Sequence, residues 1–483
     1  MIINEELVRK IKESEIFISI KHAKNYFSAN IATKAIGVIS LPIFTRLFTQ
    51  AEYGIYSVYL SYLEIFTVIL SLNCVAAVGR YYYEKTEDFK EFLGTTLTLL
   101  IVTYCITVSI VLILYSPLAN LMGIPNKLVY YIIVGSFFLC IYSVYTQILS
   151  AQRKSKESAK ISIVYGYSIF ILAVIITYNL TEERYLGKVW ASLIIGIISN
   201  LYFINKLKEG IKFSLNKKHI VYILNYSIPL IPYSLSSLIL SQFDRIMINS
   251  IINSASAGLY GVAYTVGSLV LAVLWAVMAA IYPKIMEFFN KSEFERADVL
   301  VKRVFSIFMI AAFGIILFGR EIILILADPK FHIASGLVPI IALGHIFYGM
   351  AIIYNSYIDY KKKMIYLSFS VLSAGVINII LNAIYIPQYG YVAAAYTTVI
   401  SYFLMFLFNW VISKYILKQK TIPLWLLWKP FILLTLFMII IFGISYLDLS
   451  YFINIIIKVT FLIIYSVALI YPEIKHILPS LIK

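Results

Sequence analysis

Charged side chains inside long apolar segments are the residues of this sequence that could do chemistry. The stretch SQFDRIMI, residues 241–248, places Asp244 and Arg245 side by side within an apolar run from Ile220 to Ile252. Each charge at the centre of a membrane helix costs about 2.5–3.5 kcal/mol on insertion scales. Neighbouring residues on a helix do not face each other, so these two charges are poorly placed to neutralise one another. The pair therefore indicates a polar interior or a water-filled path.

Two roles are open for each buried charge. Arg245 is a candidate phosphate contact, because a guanidinium can bind phosphate oxygens in a bidentate manner. Asp244 could orient the neighbours of Arg245 or take part in ion coupling, and the alternative is a structural bridge to another helix. Lys34 and Glu64 lie near the middle of the first two apolar segments. They either form an ion pair that fixes two helices, or Lys34 faces a cavity and binds an anionic substrate group.

Other polar residues and prolines mark further candidate positions. Arg80, at the inner end of the second apolar segment, is either an entrance contact or an ordinary interface anchor. His345 is either a proton-coupling group or a satisfied interior histidine. Lys458 is expected to extend along its stem toward the membrane surface. Pro229 and Pro232 interrupt the seventh segment near its inner end, which predicts a bent, moving element.

The elements that position these residues are predicted to be membrane helices. The chain has 483 residues, of which 61% are hydrophobic and 13% charged, whereas a soluble domain carries about 25% charged residues. Apolar runs long enough to cross a bilayer, about 20 residues each, recur along the chain. We predict an all-α polytopic membrane protein with about fourteen transmembrane helices. The candidate spans lie near 26–46, 54–78, 93–115, 128–151, 161–180, 186–205, 221–250, 257–283, 304–326, 333–358, 364–386, 389–413, 430–447 and 451–471.

The distribution of basic residues orients the predicted spans. If the N-terminus is inside, the inside segments hold 31 of the 40 lysines and arginines. The outside loops hold six: Arg46, Lys127, Arg184, Lys188, Arg320 and Lys330. An excess of basic residues marks the cytoplasmic side. Both termini are therefore predicted to be cytoplasmic, and the outside loops are too short for a folded extracytoplasmic domain.

Composition and motifs exclude several functional classes. The net charge of +16 follows the inside loops, so no nucleic-acid partner is expected. Cys74, Cys105 and Cys140 all lie in apolar segments, which argues against a disulfide framework. The sequence lacks a phosphate-binding Gly-rich loop with lysine, metal-ligand spacing and a nucleophile motif. No cofactor is therefore expected, and the energy for any transport would come from a proton or sodium gradient, the membrane potential or the substrate gradient.

An internal repeat divides the predicted helices. Residues 128–154 match 337–363 at an offset of 209, and GKVWA at 187 is similar to GYVAA at 390. GIY at 54 likewise matches GLY at 258. Asn25-Tyr26 also matches Asn225-Tyr226. Matches in the same order at offsets of 200 to 209 predict two parallel six-helix repeats, related by a pseudo-twofold axis along the membrane normal, plus two helices. Transporters built in this way bind substrate between the halves.

The repeat sets the predicted domain boundaries. An amphipathic cytoplasmic arm covers 1–25, the N-terminal six-helix bundle 26–218 and the C-terminal six-helix bundle 219–417. The remaining residues, 418–483, form the two extra helices and a cytoplasmic tail.

Two segments resemble a known family. NYSIPLIPYSLSSLILSQFDRIMINSIINSASAGLYGVAYTVGSLV, residues 225–270, is similar to the start of the second half of bacterial polysaccharide flippases. GVISLPIFTRLFTQAEYGIYSVYLS, residues 37–61, resembles their opening. These flippases belong to the multidrug, oligosaccharidyl-lipid and polysaccharide exporter superfamily, whose fold is that of the multidrug and toxic-compound extrusion (MATE) transporters.

The resemblance implies a substrate and a location. The substrate would be an undecaprenyl-pyrophosphate-linked oligosaccharide repeat unit, moved across the bacterial cytoplasmic (inner) membrane by alternating access for O-antigen or capsule synthesis. A polysaccharide polymerase and a chain-length regulator would be partners. By depth in the membrane, Lys34 and Arg245 are the candidate cavity cations. The alternatives are a lipid II flippase or a multidrug exporter of the same superfamily, and an enzyme such as a membrane polymerase or ligase.

Overall fold

The computed structural model describes residues 32–33, 35–84, 87–208, 211–212, 214–445 and 450–481. Within these residues every regular element is a helix, which confirms the all-α prediction. The helices of the N-terminal part are α1 Ala35–Leu47, α2 Gln50–Leu70, α3 Cys74–Glu84, α4 Phe89–Met122, α5 Asn126–Ala151, α6 Ser155–Asn179 and α7 Tyr185–Lys208. Those that follow are α8 Lys217–Ser227, α9 Ile231–Ile251, α10 Ser254–Gly267, α11 Leu269–Asn290, α12 Phe294–Leu326, α13 Val338–Tyr360, α14 Met364–Tyr389, α15 Val392–Val411, α16 Leu424–Ser445 and α17 Tyr451–Leu481.

The number of membrane spans agrees with the sequence. Thirteen helical segments of the described chain are long and apolar enough to cross a membrane, and α1 is the described part of the first predicted span. Large apolar side chains such as Leu121, Ile113 and Ile365 are exposed on these helices. Helices in contact with lipid direct apolar side chains outward. Their backbone polar groups are already paired within each helix, so neither side chains nor backbone present unpaired polar groups to the hydrocarbon. The membrane-protein prediction is therefore confirmed.

Three predicted spans are broken within the membrane segment. The second divides into α2 and α3 at Leu72 and Asn73, whose φ angles of 49° and 52° are left-handed. The seventh divides into α8 and α9 at a short 3₁₀ turn, Ile228–Leu230. The eighth divides into α10 and α11 at Ser268. Such breaks release backbone groups that neighbouring side chains must then satisfy.

The described residues pack as two compact units. The first takes the residues up to Gly261 together with Ile379–Ala394, and the second takes Val262–Asn378 and the residues from Ala395 onward. In the first unit α5 is central, because it packs against α2, α3, α4 and α7. In the second, α12 packs against α11, α13, α16 and α17. The boundaries predicted at 218 and 417 describe a sequence duplication and stay predictions.

Candidate functional site

The carboxylate of Asp244 is buried on α9. Its side chain is 1% exposed. Tyr260 on α10 donates its hydroxyl to Asp244 Oδ2 at 2.5 Å, and Asn382 Nδ2 on α14 donates to Oδ1 at 2.7 Å. Hydrogen bonds to a charged acceptor are stronger than bonds between neutral groups. Asp244 therefore joins the parts of α9, α10 and α14 that belong to the first unit.

Arg245 has different neighbours, and the hydrogen-bond partners of its Nη1 lie on α9 itself. Its side chain is 8% exposed, and Nη1 donates to Gln242 Oε1 at 2.6 Å and to the carbonyl of Ser241 at 3.0 Å. Gln242 Nε2 in turn donates to Glu64 Oε2 on α2 at 3.0 Å. A chain of polar contacts thus joins the guanidinium to a carboxylate on another helix. The α9 polar network consists of Glu64, Gln242, Asp244, Arg245, Tyr260 and Asn382.

The predicted hinge prolines lie at the start of α9. Pro229 is in the 3₁₀ turn, and Pro232 is in the first turn of α9, where its missing N–H has no cost to the helix. Asn73, at the break between α2 and α3, donates its side-chain amide to Ser234 Oγ at 3.2 Å. The two helix breaks therefore meet through one hydrogen bond. The hinge role of the prolines stays a prediction.

Arg80 has partners outside the α9 polar network. It is exposed, forms an ion pair with Glu84 one turn along α3, and its Cζ lies 5.7 Å from the centre of the Tyr226 ring. Tyr222 on α8 donates to the same carboxylate, at Glu84 Oε2, at 2.7 Å. Arg80 thus helps to fix α8 against α3, and a role as a substrate entrance stays a prediction.

A second polar cluster, absent from the sequence predictions, lies where α8 meets α3 and α4. Asp88 accepts a hydrogen bond from the Tyr81 hydroxyl at 2.8 Å, and its Oδ2 lies 3.1 Å from His219 Nε2. Partial burial raises the pKa of Asp88, but hydrogen bonds from His219 and Tyr81 outweigh it, and the net shift is downward. Asn216 Nδ2 also donates to Glu91 Oε1 at 2.9 Å. Residues 81–91 and residues 216–219 are far apart in the sequence, so no local motif could have revealed their contact.

The remaining predicted positions have mixed outcomes. Lys34 lies outside the described residues, so its pairing with Glu64 stays a prediction. His345 is 1% exposed on α13, and its ring centre lies 5.4 Å from that of Tyr264 and 6.0 Å from that of Tyr402. These contacts place His345 in the interior of the second unit, and both the satisfied-histidine and the proton-coupling alternatives stay predictions.

The prediction for Lys458 was wrong. Its Nζ lies 2.5 Å from Glu321 Oε1 on α12, and the two side chains are 19% and 9% exposed. The ammonium is held inside the second unit because Glu321, which the sequence predictions passed over, is close enough to neutralise it. The charge at each position was visible in the sequence, but the spatial pairing of α12 with α17 was not.

The repeated glycine motifs form a close helix contact in the first unit. A Cβ atom at Gly54 would lie 1.7 Å from the carbonyl oxygen of Ser254, and one at Gly258 would lie 2.1 Å from that of Gln50. Small residues allow the backbones of membrane helices to approach in this way. Thus α2 and α10, which carry the matching GIY and GLY motifs, pack through the matching residues themselves. This close contact is referred to as the glycine contact.

Two proteins of known origin are similar to the chain. A protein of the Lsg locus of Haemophilus influenzae is 24% identical over 271 residues, which cover 54% of this chain and 64% of the relative. A Haloferax volcanii protein named as a probable low-salt glycan biosynthesis flippase, Agl15, is 20% identical over 384 residues, which cover 78% of this chain and 79% of the relative. The chain thus spans slightly less than two thirds of the first of these relatives.

Solved structures establish the fold. The lipid II flippase MurJ, in an inward closed conformation, superposes with a TM-score of 0.74 at 18% identity and covers 93% of this chain and 99% of its own. An inward-facing MATE family multidrug resistance transporter of the MOP superfamily gives a TM-score of 0.60 at 12% identity, covering 83% of this chain and 96% of its own. The MATE-like fold predicted from the resemblance is confirmed.

The comparisons also decide between the predicted protein classes. The Haloferax relative and both solved structures are named as flippases or transporters, which agrees with the prediction of a transporter and disfavours a membrane polymerase or ligase. Residues 20–289, more than half of the chain, match the family described as polysaccharide biosynthesis protein. With this match, and with the MATE-like fold that carries the α9 polar network, the chain belongs to the polysaccharide biosynthesis protein family.

Proposed function

We propose that this protein is a flippase that moves an undecaprenyl-pyrophosphate-linked oligosaccharide repeat unit from the cytoplasmic to the outer leaflet of a bacterial cytoplasmic membrane. A pyrophosphate with several sugars cannot cross hydrocarbon unaided, whereas the lipid tail can stay in the bilayer. The carrier must therefore supply a polar path for the head group alone. O-antigen, capsule or a similar surface polysaccharide would be the product of the pathway.

The observation that carries the proposal is the α9 polar network. Its guanidinium, Arg245, lies on an apolar membrane helix, and Gln242 and the Ser241 carbonyl hold it at Nη1. A guanidinium presents five N–H donors in a planar fork that matches phosphate oxygens. An arginine held in one orientation within the membrane is suited to contact a pyrophosphate as it passes. The family match and the named flippase relative support the same substrate class.

Alternating access would require contacts that open and close at each end of the carrier. The glycine contact between α2 and α10 lies at the predicted outer ends of both helices and is a candidate outer gate. The 3₁₀ turn between α8 and α9 is a candidate hinge, because it interrupts the helix that carries Arg245. Coupling to a proton or sodium gradient, and cooperation with a polymerase and a chain-length regulator, belong to this proposal as expectations.

A second candidate is a lipid II flippase, favoured by the TM-score of 0.74 with MurJ. Lipid II carries the same undecaprenyl pyrophosphate, so the Arg245 argument applies equally to it. The two candidates differ in the sugar and peptide groups that the path must accept. A direct comparison of the two lipids in one assay separates them.

The test uses purified protein in liposomes with the lipid-linked oligosaccharide on the inner leaflet. An external glycosidase reports how fast the sugar reaches the outside, for wild type, Arg245→Ala and Arg245→Lys. Loss of a charge-assisted contact of about 1.5–3 kcal/mol should slow exposure by roughly tenfold to a hundredfold in Arg245→Ala. Arg245→Lys should be intermediate, because it keeps the charge and loses the fork. Arg296→Ala, which removes an exposed arginine paired with Glu293, is the matched control and should behave as wild type.

Each outcome has a distinct meaning. Equal rates of sugar exposure for wild type and Arg245→Ala would support the flippase function and leave the α9 polar network with a structural role only. Rapid exposure of lipid II alone would favour the second candidate. Failure of the wild type to expose any lipid-linked sugar, with or without an imposed ion gradient, would favour a multidrug exporter.

A further inference from the structure

Lys188 was assigned to an outside loop from the sequence, whereas the structure places it on α7. Its Nζ lies 4.1 Å from the centre of the Tyr56 ring on α2 and 4.3 Å from the centre of the Phe44 ring on α1. One turn earlier, just before α7, the backbone N–H of Arg184 donates to Glu52 Oε1 at 2.6 Å. The hydrogen bond between Glu52 and Arg184 thus fixes α2 against the start of α7. One turn later, the Lys188 amine lies against two ring faces.

The nearest carboxylates on the surrounding helices are already engaged. Glu52, one turn from Tyr56 on α2, accepts hydrogen bonds from the backbone N–H groups of Thr49 and Arg184. Glu64, farther along α2, accepts from Gln242. Among the described residues, the contacts of Lys188 are the two aromatic rings, and none of the ion pairs includes it.

The other helices around this position bring no further carboxylate. The charged residue of α1 is Arg46, whose Nη1 bonds to the Pro42 carbonyl, and that of α5 is Lys127, which pairs with Glu183. From residue 161 to its end, α6 contains no Asp, Glu, Lys or Arg. The other titratable groups that α2 and α7 bring to this end are tyrosines, such as Tyr53, Tyr59 and Tyr185. Tyrosines are neutral near pH 7.

The charge of Lys188 depends on how well water hydrates its amine, because its neighbours are aromatic rings. Ring faces attract an ammonium, but they do not neutralise it as a carboxylate would. Phe44 is 1% exposed, and Lys188 and Tyr56 are only partly exposed, so the rings limit the hydration of the amine in this conformation. A change in the packing of α1 and α2 against α7 would alter that hydration. Lysines readily change their protonation when they are taken out of water.

We propose that Lys188 is a proton-exchange site that couples a proton gradient to the transport cycle. The amine takes up a proton from water on the predicted outer side while it is hydrated. Enclosure of the amine against Tyr56 and Phe44, as in this structure, removes water that stabilises its charge, and the proton passes to water when the carrier opens toward the inner side. This inference rests on the proposed function. Asp244 is less suited to the task, because Tyr260 and Asn382 already donate to its carboxylate.

The test compares two variants that fix opposite charge states. Lys188→Arg keeps a permanent cation against the rings, and Lys188→Met keeps the apolar stem without a charge. The flipping rate of an undecaprenyl-pyrophosphate-linked oligosaccharide is measured in liposomes without a gradient and with the outside about two pH units below the inside, roughly a hundredfold difference in proton activity. Trapped pyranine follows proton entry. Lys127→Met removes another lysine of the predicted outer side and is the control.

We expect the gradient to accelerate flipping in wild type and Lys127→Met, with proton entry that depends on the lipid substrate. Both Lys188 variants should flip at a single rate that the gradient does not change, and should lose substrate-dependent proton entry. A structural cation–π role predicts instead that Lys188→Arg behaves as wild type.

The outcomes separate this inference from the proposed function. Flipping by wild type that the pH gradient does not accelerate, or gradient-stimulated flipping by Lys188→Arg or Lys188→Met, overturns the proton-exchange role and leaves the flippase in place. Failure of the wild type to flip any lipid-linked oligosaccharide overturns the flippase, and the inference with it.

Discussion

The side chains of Asp244 and Arg245 on α9 have different hydrogen-bond partners. Asp244 reaches Tyr260 and Asn382, while Arg245 reaches back to Gln242. Adjacent residues on a helix are rotated by about 100°, so separate partners are what the geometry requires. The sequence indicated that both charges needed partners. It could not identify them, because the partners lie 16 and 138 positions from Asp244.

The ion pair between Lys458 and Glu321 gives a prediction at the residue scale. Loss of one partner leaves the other charge buried and unpaired, which costs about 3–5 kcal/mol for a fully buried pair. We expect Lys458→Met to lower the Tm in detergent more than Glu321→Gln does, because Glu321 is 9% exposed and the longer Lys458 is 19% exposed. The double variant should be more stable than Lys458→Met alone. Additive losses of Tm in the double variant would contradict a direct pair.

The broken helices are the main structural feature at the element scale. The break between α2 and α3 meets the start of α9 through Asn73 and Ser234, and both breaks lie within predicted spans. Hydropathy located each of these spans, since it depends only on apolar length. Pro229 and Pro232 predicted one break. At the other, Leu72 carried no signal, whereas asparagine, as at position 73, adopts the left-handed conformation more often than most residues.

The glycine contact gives a prediction at the element scale. A Cβ at Gly261 would lie 3.5 Å from Ser57 Cβ, within the Cβ–Cβ range of about 3.5–4.5 Å for a disulfide. In a background with Cys74, Cys105 and Cys140 replaced by serine, Ser57→Cys with Gly261→Cys should cross-link α2 to α10. The oxidised protein should lose flipping, because the outer gate cannot open, and dithiothreitol should restore it. Ser57→Cys alone is the control, and flipping by the fully cross-linked protein would exclude this gate.

The docking of α8 gives a second prediction at this scale. The pKa of Asp88 lies below its ordinary value of about 3.9, so its contacts stabilise the fold above that pH and the contribution is lost as the pH falls through the lowered pKa. We expect Asp88→Asn to lower the Tm at pH 7 by a small amount, since the Asp88 side chain is 45% exposed. The difference from wild type should shrink as the pH falls below about 4. Tyr81→Phe removes one donor to Asp88, so in that background Asp88→Asn should lower the Tm at pH 7 by less. A Tm difference between Asp88→Asn and wild type that stays constant with pH would refute the stabilising role of the Asp88 carboxylate.

At the scale of the whole molecule, long segments predicted more than individual residues did. Span number followed from apolar length, and the MATE-like fold followed from the resemblance of residues 37–61 and 225–270 to the flippase family. The predicted duplication places GIY at 54 and GLY at 258 at matching positions, and these motifs form the glycine contact. Lys188 was missed because it was counted with the outside loops, although it lies at the start of the predicted span 186–205. The structure places it one turn inside α7, where aromatic rings replace water.

The orientation of the chain in the membrane is open to a direct test. We expect Glu182→Cys, in the exposed connection between α6 and α7, to react with a membrane-impermeant maleimide added to intact cells. Lys361→Cys, exposed after α13, should react only after permeabilisation, because the segments rich in lysine and arginine face the cytoplasm. Both variants need the three native cysteines replaced, and the replaced protein without a new cysteine is the control.

The labelling pattern also decides how the candidate sites can act. Labelling of Glu182→Cys alone in intact cells would place the glycine contact and Lys188 at the outer face, where a proton gradient directed inward could load the amine. Labelling of Lys361→Cys alone would show that the carrier has the opposite orientation in the membrane. The glycine contact would then be an inner gate, and Lys188 would meet cytoplasmic water, where an inward gradient cannot load it. Topology labelling and the Lys188 flipping assay therefore constrain each other.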